Sequence, residues 1–172
     1  MYNLLGFIAA QMADTEAAEE YYMQSLRLSE ERQRPVMTML NYAGLAELRI
    51  QQERFEEVTT CVNKALSYAQ QVDDKNMAGG VYISVAKVIL AMAENVEDVQ
   101  REATYARAIG LFQEAEKYLK DTQSYVERAE LHGRWAEVLE HTGKAYEALQ
   151  HWNTAFLMMR KTKSVECQPQ PA

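Results

Sequence analysis

The sequence predicts an all-α protein, an α-solenoid of four helix hairpins with about eight helices. Three observations carry this. Ala, Leu, Glu, Gln, Lys and Arg are plentiful, while 7 glycines and 3 prolines in 172 residues leave few of the turn signals that a sandwich or barrel needs. Apolar residues recur at helical rather than alternating spacing. One pattern of small and large residues returns four times along the chain.

The repeat is read in columns. The first unit carries Tyr2, Leu5 and Gly6, then Ala18, Tyr22 and Ser25. Forty residues on come Tyr42, Leu45 and Ala46, then Val58, Val62 and Ala65; forty further, Tyr82, Val85 and Ala86. The second half of that third unit arrives ten residues late, as Ala108, Phe112 and Ala115. The fourth unit has His132, Trp135 and Ala136, then Ala148, Trp152 and Ala155. Small residues let helices approach, and large ones fill the space between neighbouring hairpins.

Boundaries agree with the columns. Pro35 suits a first helical turn, and Asp73 or Asp74 is placed to cap the helix that follows. Asn95 with Asp98 has the form of a capping box. Beyond it Val99, Ala103, Ala106, Ile109, Phe112, Ala115 and Leu119 keep helical spacing, so the ten-residue insertion is expected to lengthen a helix rather than add a loop. Gly143 fits a tight turn between the last two helices. The units are expected at about 1–33, 35–72, 74–121 and 122–162, followed by a disordered tail over 163–172, which lacks periodicity and holds two prolines. The pattern is already running at Tyr2, which reads as the C-terminal piece of a longer protein, or as a chain cut at a boundary.

These columns resemble the tetratricopeptide (TPR) repeat family over residues 1–162. The family unit is about 34 residues long and closes on a Pro; here the period is about 40 and that Pro is absent, which implies longer helices. Longer-helix arrays of this kind are similar in style to the C-terminal repeat domains of bacterial peptide-responsive (Rap-like and PlcR-like) regulators that carry a helix-turn-helix domain. The resemblance implies a right-handed solenoid whose concave surface is lined by the first helix of each unit. Contact residues are then expected at Asn3, Phe7 and Gln11, at Glu47 and Gln51, at Ser84 and Lys87, and at Arg134, Glu137 and His141. Lys87 with Arg134 is a candidate clamp for a carboxylate. Arrays that hold chaperone tails place Lys and Asn at fixed groove positions; here Asn3, Phe7 and Gly44 stand there, so that ligand is not expected.

Composition narrows the function. A net charge of −7 opposes direct nucleic-acid binding. No apolar run is read as long enough to span a bilayer, and no signal peptide is visible. Cys61 and Cys167 form no disulfide or metal pattern, which fits a reducing, cytoplasmic setting. His132, His141 and His151 are nine and ten residues apart, too far for adjacent-turn metal ligation. His132 stands in a column that is otherwise Tyr and reads as a packing residue, with the other two exposed. The acidic pairs Glu19-Glu20 and Glu56-Glu57 read as solvated, and Gly79-Gly80 as a point of close helix approach. No catalytic group, metal or cofactor is expected. Met37 and Met39, and Met158 and Met159, read as core filling, with an adaptable apolar groove as the alternative, and Tyr2, Leu5 and Phe7 read as a face open to another domain or copy. The expected function is non-catalytic binding of a peptide or protein segment, as the sensing or interaction part of a bacterial cytoplasmic transcriptional regulator. The alternative is a structural adaptor or self-association module, with a homodimer as one form.

Overall fold

The structure is a computed structural model that describes residues 1–94 and 97–166, without the side chains of 98, 99 and 163–166. It holds α1 (Tyr2–Gln11), α2 (Thr15–Glu31), α3 (Pro35–Gln51), α4 (Phe55–Ala69), α5 (Lys75–Ala93), α6 (Asp98–Leu119), α7 (Tyr125–His141) and α8 (Ala145–Glu166). No strand occurs among the described residues, so the chain is all-α with eight helices. Each helix packs on the next, most extensively within the pairs α1/α2, α3/α4, α5/α6 and α7/α8. The odd-numbered helices also touch one another in succession, while the even-numbered ones do not among the described residues. The result is two layers, an inner one of α1, α3, α5 and α7 and an outer one of α2, α4, α6 and α8.

The columns are where the layers meet. Ala18, Ala46, Val58, Val62, Ala65, Ala86, Ala108, Phe112, Ala115 and Ala136 are fully buried. Tyr22 of α2 rises between two glycines: a Cβ on Gly44 would lie 2.6 Å from its ring, and one on Gly6 would lie 2.9 Å from it. Gly79 admits Leu119 in the same way, with 2.6 Å left for a Cβ, whereas Gly80 faces open space. Tyr42 and Tyr82 stack on Tyr68 and Tyr118 of their own hairpins, at 6.1 and 5.4 Å between ring centroids. Met39 and Met158 are in the core, as expected, but Met37 is only half-buried and Met159 is exposed, because no helix follows α8 within the described residues to cover it.

The helix starts follow local chemistry. Pro35 occupies the first turn of α3, and Asp74 caps α5 by accepting from the Met77 amide. Asp14 caps α2 in the same way through Ala17, which the sequence reading did not single out. The capping box fell on Asn95, outside the described residues. Of the ten inserted residues, seven extend the start of α6, two extend the end of α5 and one lengthens the connection. The insertion is therefore helical, but Ala103 on it and Ala106 just beyond it are exposed; among the described side chains of α6, burial begins at Ala108. α8 runs to Glu166, past the expected boundary at 162, and residues 167–172 lie outside the described residues. α5 also corrects the reading of apolar runs. It is long and apolar enough to cross a membrane by length and composition, because the helix continues through Gly79-Gly80. Its apolar side chains Val81, Ile83, Val85, Val88 and Ile89 are instead buried between the layers.

Four connections share one geometry. α1–α2, α2–α3, α3–α4 and α7–α8 are three-residue turns whose central residue has positive φ: Ala13 (59°), Gln33 (51°), Glu53 (58°) and Gly143 (75°). In each, the next amide reaches back to a carbonyl in the last helical turn, as in Asp14→Ala9, Arg34→Ser29, Arg54→Arg49 and Lys144→Leu139. Only the fourth uses glycine; the others hold an L side chain where its Cβ is crowded, a cost of about 1 kcal/mol or more each. Gln33→Gly and Glu53→Gly should therefore each gain up to about 1 kcal/mol, a rise of about 2–4 °C in Tm for a chain of this size. Gly143→Ala should lose a similar amount. Thermal unfolding followed by circular dichroism checks all three; no rise in either glycine variant would show that the turns carry no strain.

Candidate functional site

The inner layer is hollowed. A cavity of about 440 Å³ opens between α1, α3, α5 and the start of α7, lined by Asn3, Phe7, Glu47, Ser84, Glu127 and Glu130 among others, with Tyr22 reaching in from α2. A second hollow, lined by Glu47, Gln51, Lys87 and Ala91, shares Glu47 with the first. A third, lined by Lys87, Arg134, Glu137 and His141, shares Lys87 with the second. The three run along one face of the inner helices as a continuous groove. Nine of the ten contact residues expected from the sequence line it; Gln11 is exposed but lines none of the three.

The insertion shapes the far end. Glu94, which caps the lengthened α5, and Tyr105, which follows the seven-residue extension of α6 and matches Phe55 of α4, both line the third hollow. Tyr105 stacks on His141 with 6.0 Å between ring centroids. His141 is exposed, as expected. At the near end Gly44 stands where a groove side chain would project, because the Tyr22 ring fills that space. The functional residues that sequence reasoning missed here are Tyr22, Glu127 and Glu130. Tyr22 was assigned to a packing column, and the two glutamates fall on the first turns of α7, away from the columns. The Gly6 and Gly44 pair, forty residues less two apart, was the one readable sign of the ring between them.

Charge in the groove differs from expectation. Lys87 is bound to Glu130 at 3.0 Å and Arg134 to Glu137 at 3.0 Å, so the two cations are occupied rather than open to a carboxylate. Glu47 is different. It makes no hydrogen bond or ion pair among the described residues. Burial raises its carboxyl above the usual range; Lys87 opposes this from a distance, and Glu130 adds to it. Burial, and then the Glu47 charge, push the Tyr22 phenol up to about 12. Asn3 donates to Asn41 at 2.8 Å, which ties α1 to the polar seam behind the groove.

Two further clusters lie outside the groove. Glu19 accepts from Arg49 (2.7 Å), Gln52 (3.0 Å) and Arg54 (3.2 Å), and Arg49 also meets Glu57 at 2.9 Å. Glu19 and Glu57 are therefore paired rather than solvated as expected. Hydrogen bonding from Arg49 is the main reason that Glu19 is held down at about 2 against the resistance of burial. The second cluster corrects the reading of His151, which is half-buried rather than exposed. Its Nδ1 lies 2.9 Å from Nδ1 of buried His132, and its ring packs on Trp135 at 4.1 Å. His132 Nε2 faces Glu116 at 3.4 Å, and Arg128 lies 3.5 Å from the same carboxylate. One hydrogen fits between the two Nδ1 atoms, so with both rings neutral one histidine donates there and the other accepts; the buried His132 Nε2 and Glu116 Oε2 approach to 3.4 Å without forming a hydrogen bond. Among the described residues no group of three His, Cys, Asp or Glu is arranged to hold a metal.

No protein-family model matches the chain, and no curated protein matches it in sequence. Among solved structures it is similar to BtubC (BKLC) from P. vanneervenii, at 18% identity with a TM-score of 0.68. The alignment covers 99% of this chain and 66% of that one, so this chain spans less than two thirds of that protein's length. At such identity the likeness is one of fold alone.

The histidine pair gives a pH signature. Burial first, then the charges of His151 and Arg128, hold His132 down at about 4 against an ordinary 6.5, and His151 is lowered mainly by burial. The unfolded chain takes up protons near pH 6.5 that the folded chain refuses until lower pH. Stability therefore falls as pH drops from 6.5 towards 4. The Glu19 carboxylate acts lower, between 4.5 and about 2, and Glu47 acts in the opposite sense to the histidines. Tm measured at pH 6.5 and 4.5 should fall in the native chain and fall less in His132→Tyr, the residue type of the other three units. An equal fall in both would place the proton uptake elsewhere.

Proposed function

We propose that the chain is a tetratricopeptide-type, right-handed α-solenoid whose inner groove holds a peptide or protein segment without catalysing a reaction. The observation that carries this reading is the run of three hollows joined through Glu47 and Lys87 on α1, α3, α5 and α7. Apolar walls from Leu4, Phe7, Leu40 and Met77 alternate there with amide and hydroxyl groups from Asn3, Asn76 and Ser84. Such a lining suits an extended chain, whose backbone both donates and accepts. In keeping with the style of its repeats, we place it as the sensing or interaction part of a bacterial cytoplasmic transcriptional regulator. Occupancy would bias how the hairpins pack on one another.

The charge pattern specifies the ligand further. With Lys87 and Arg134 occupied, Glu47, Glu94 and Glu127 are the groove carboxylates left without an ion partner among the described residues, so the favoured segment carries a Lys or Arg between apolar residues. The test is fluorescence anisotropy with labelled peptides of matched hydrophobicity that are basic, neutral or acidic. Basic peptides should bind best, and Glu47→Gln should weaken them about tenfold, the effect of losing one buried charge-assisted contact. Lys87→Glu, which a carboxylate clamp would not tolerate, should leave basic peptides bound as tightly or more so. Acidic peptides binding best, or Glu47→Gln without effect, would sink this assignment.

A further inference from the structure

The two end helices leave apolar faces uncovered, and the repeat itself shows what covers such faces. Inside the chain, the outer side of α2, α4 and α6 receives the next inner helix, α3, α5 and α7 respectively. The same side of α8 has no following helix within the described residues. It carries Leu149, Trp152, Phe156 and Met159, of which Phe156 is 60% and Met159 56% exposed. The positions matching Met159 are Ser29, Ala69 and Leu119, all buried at 4% or less. At the other end, no helix precedes α1 within the described residues. Its Met1 and Ile8 are exposed, while the residues forty on, Asn41 and Leu48, are buried at 1% or less. The matching residues of α5 and α7, which are Val81 and Val88, then Leu131 and Val138, are buried too. Residues 1–13 contain no charged side chain.

The two faces fit each other position by position. In the α2/α3 seam, Ser29 meets Thr38 and Asn41, and Glu19 meets Arg49 and Gln52. On the α8 face, Ser29 is replaced by Met159 and Glu19 by Leu149. On the α1 face, Asn41 is replaced by Met1, Arg49 by Ala9 and Gln52 by Met12. At these positions polar seam residues give way to apolar ones on both free faces, while the Tyr42–Glu30 hydrogen bond of the seam maps to Tyr2 and Arg160, which are polar. A pairing of α8 with another α8 would leave α1 uncovered; a pairing of α1 with α8 covers both.

We infer that the chain self-associates head to tail, the α1 face of one copy docking on the α8 face of the next as α3 docks on α2. Such a contact is heterologous, so it propagates into longer assemblies and does not close as a two-fold dimer does. Analytical ultracentrifugation from micromolar to millimolar concentration tests it, with circular dichroism to confirm the fold. The native chain should grow past twice its 19.7-kDa mass. Ile8→Glu and Phe156→Glu alter exposed side chains, and each variant alone should remain monomeric. Mixed one to one, they should form a species of two chains that grows no further, because Ile8→Glu retains a native α8 face and Phe156→Glu a native α1 face. Glu47→Gln should associate like the native chain, which separates this contact from the groove. A native chain that stays monomeric overturns the inference. So does an Ile8→Glu variant that still dimerises alone, which would assign the contact to paired α8 faces.

Discussion

Close approach of helices at small residues is the constraint on which the rest depends. Tyr22 shows it most directly. Its ring has room only because Gly6 and Gly44 present no side chain, and that room sets the distance between α1 and α3. Leu119 against Gly79 does the same for the third hairpin. Once these spacings are fixed, the inner helices lie side by side and the outer helices spread apart, which leaves a hollow on the inner surface. The groove is thus a by-product of where large and small residues alternate in the core.

Polar interactions are divided between holding the hairpins together and furnishing the groove. Arg49 is nearly buried at the joint of the first two hairpins, and it is tolerable there because Glu19 and Glu57 both meet it. The histidine pair occupies a comparable joint of α6, α7 and α8, but with neutral rings. In the groove the balance is reversed. Its cations are matched by neighbouring carboxylates, while Glu47 is desolvated without a partner of its own. A half-buried carboxylate that the fold does not satisfy is a place where a ligand cation gains more than it would in water.

Much of this was legible in the sequence, because helix period and column identity are local properties. Pro35, Asp74 and Gly143 marked boundaries by their own backbone chemistry, and the columns paired the helices into hairpins, while the expectation that the helices of Tyr2, Tyr42, Tyr82 and His132 line the groove came from the family resemblance. What was not legible depends on neighbours distant in sequence, or on unusual backbone without the usual residue. Ala13, Gln33 and Glu53 adopt a conformation that normally announces itself by glycine. His151 is covered by Trp135 of another helix, and Lys87 is paired with a glutamate forty-three residues away. Ala103 and Ala106 kept the helical period, yet both are exposed, while their neighbour Tyr105 packs inward there, against the core and His141.

The lengthened third hairpin has a consequence for direction. Four identical units would give a groove whose two ends differ little. Here one end is an open, acidic hollow floored by Tyr22, and the other is walled by Glu94 and by Tyr105 stacked on His141. An extended molecule entering this groove meets a different surface at each end. Its forward and reversed orientations are therefore inequivalent in side-chain chemistry as well as in backbone direction, and the ten inserted residues add to the polarity that a head-to-tail array already has.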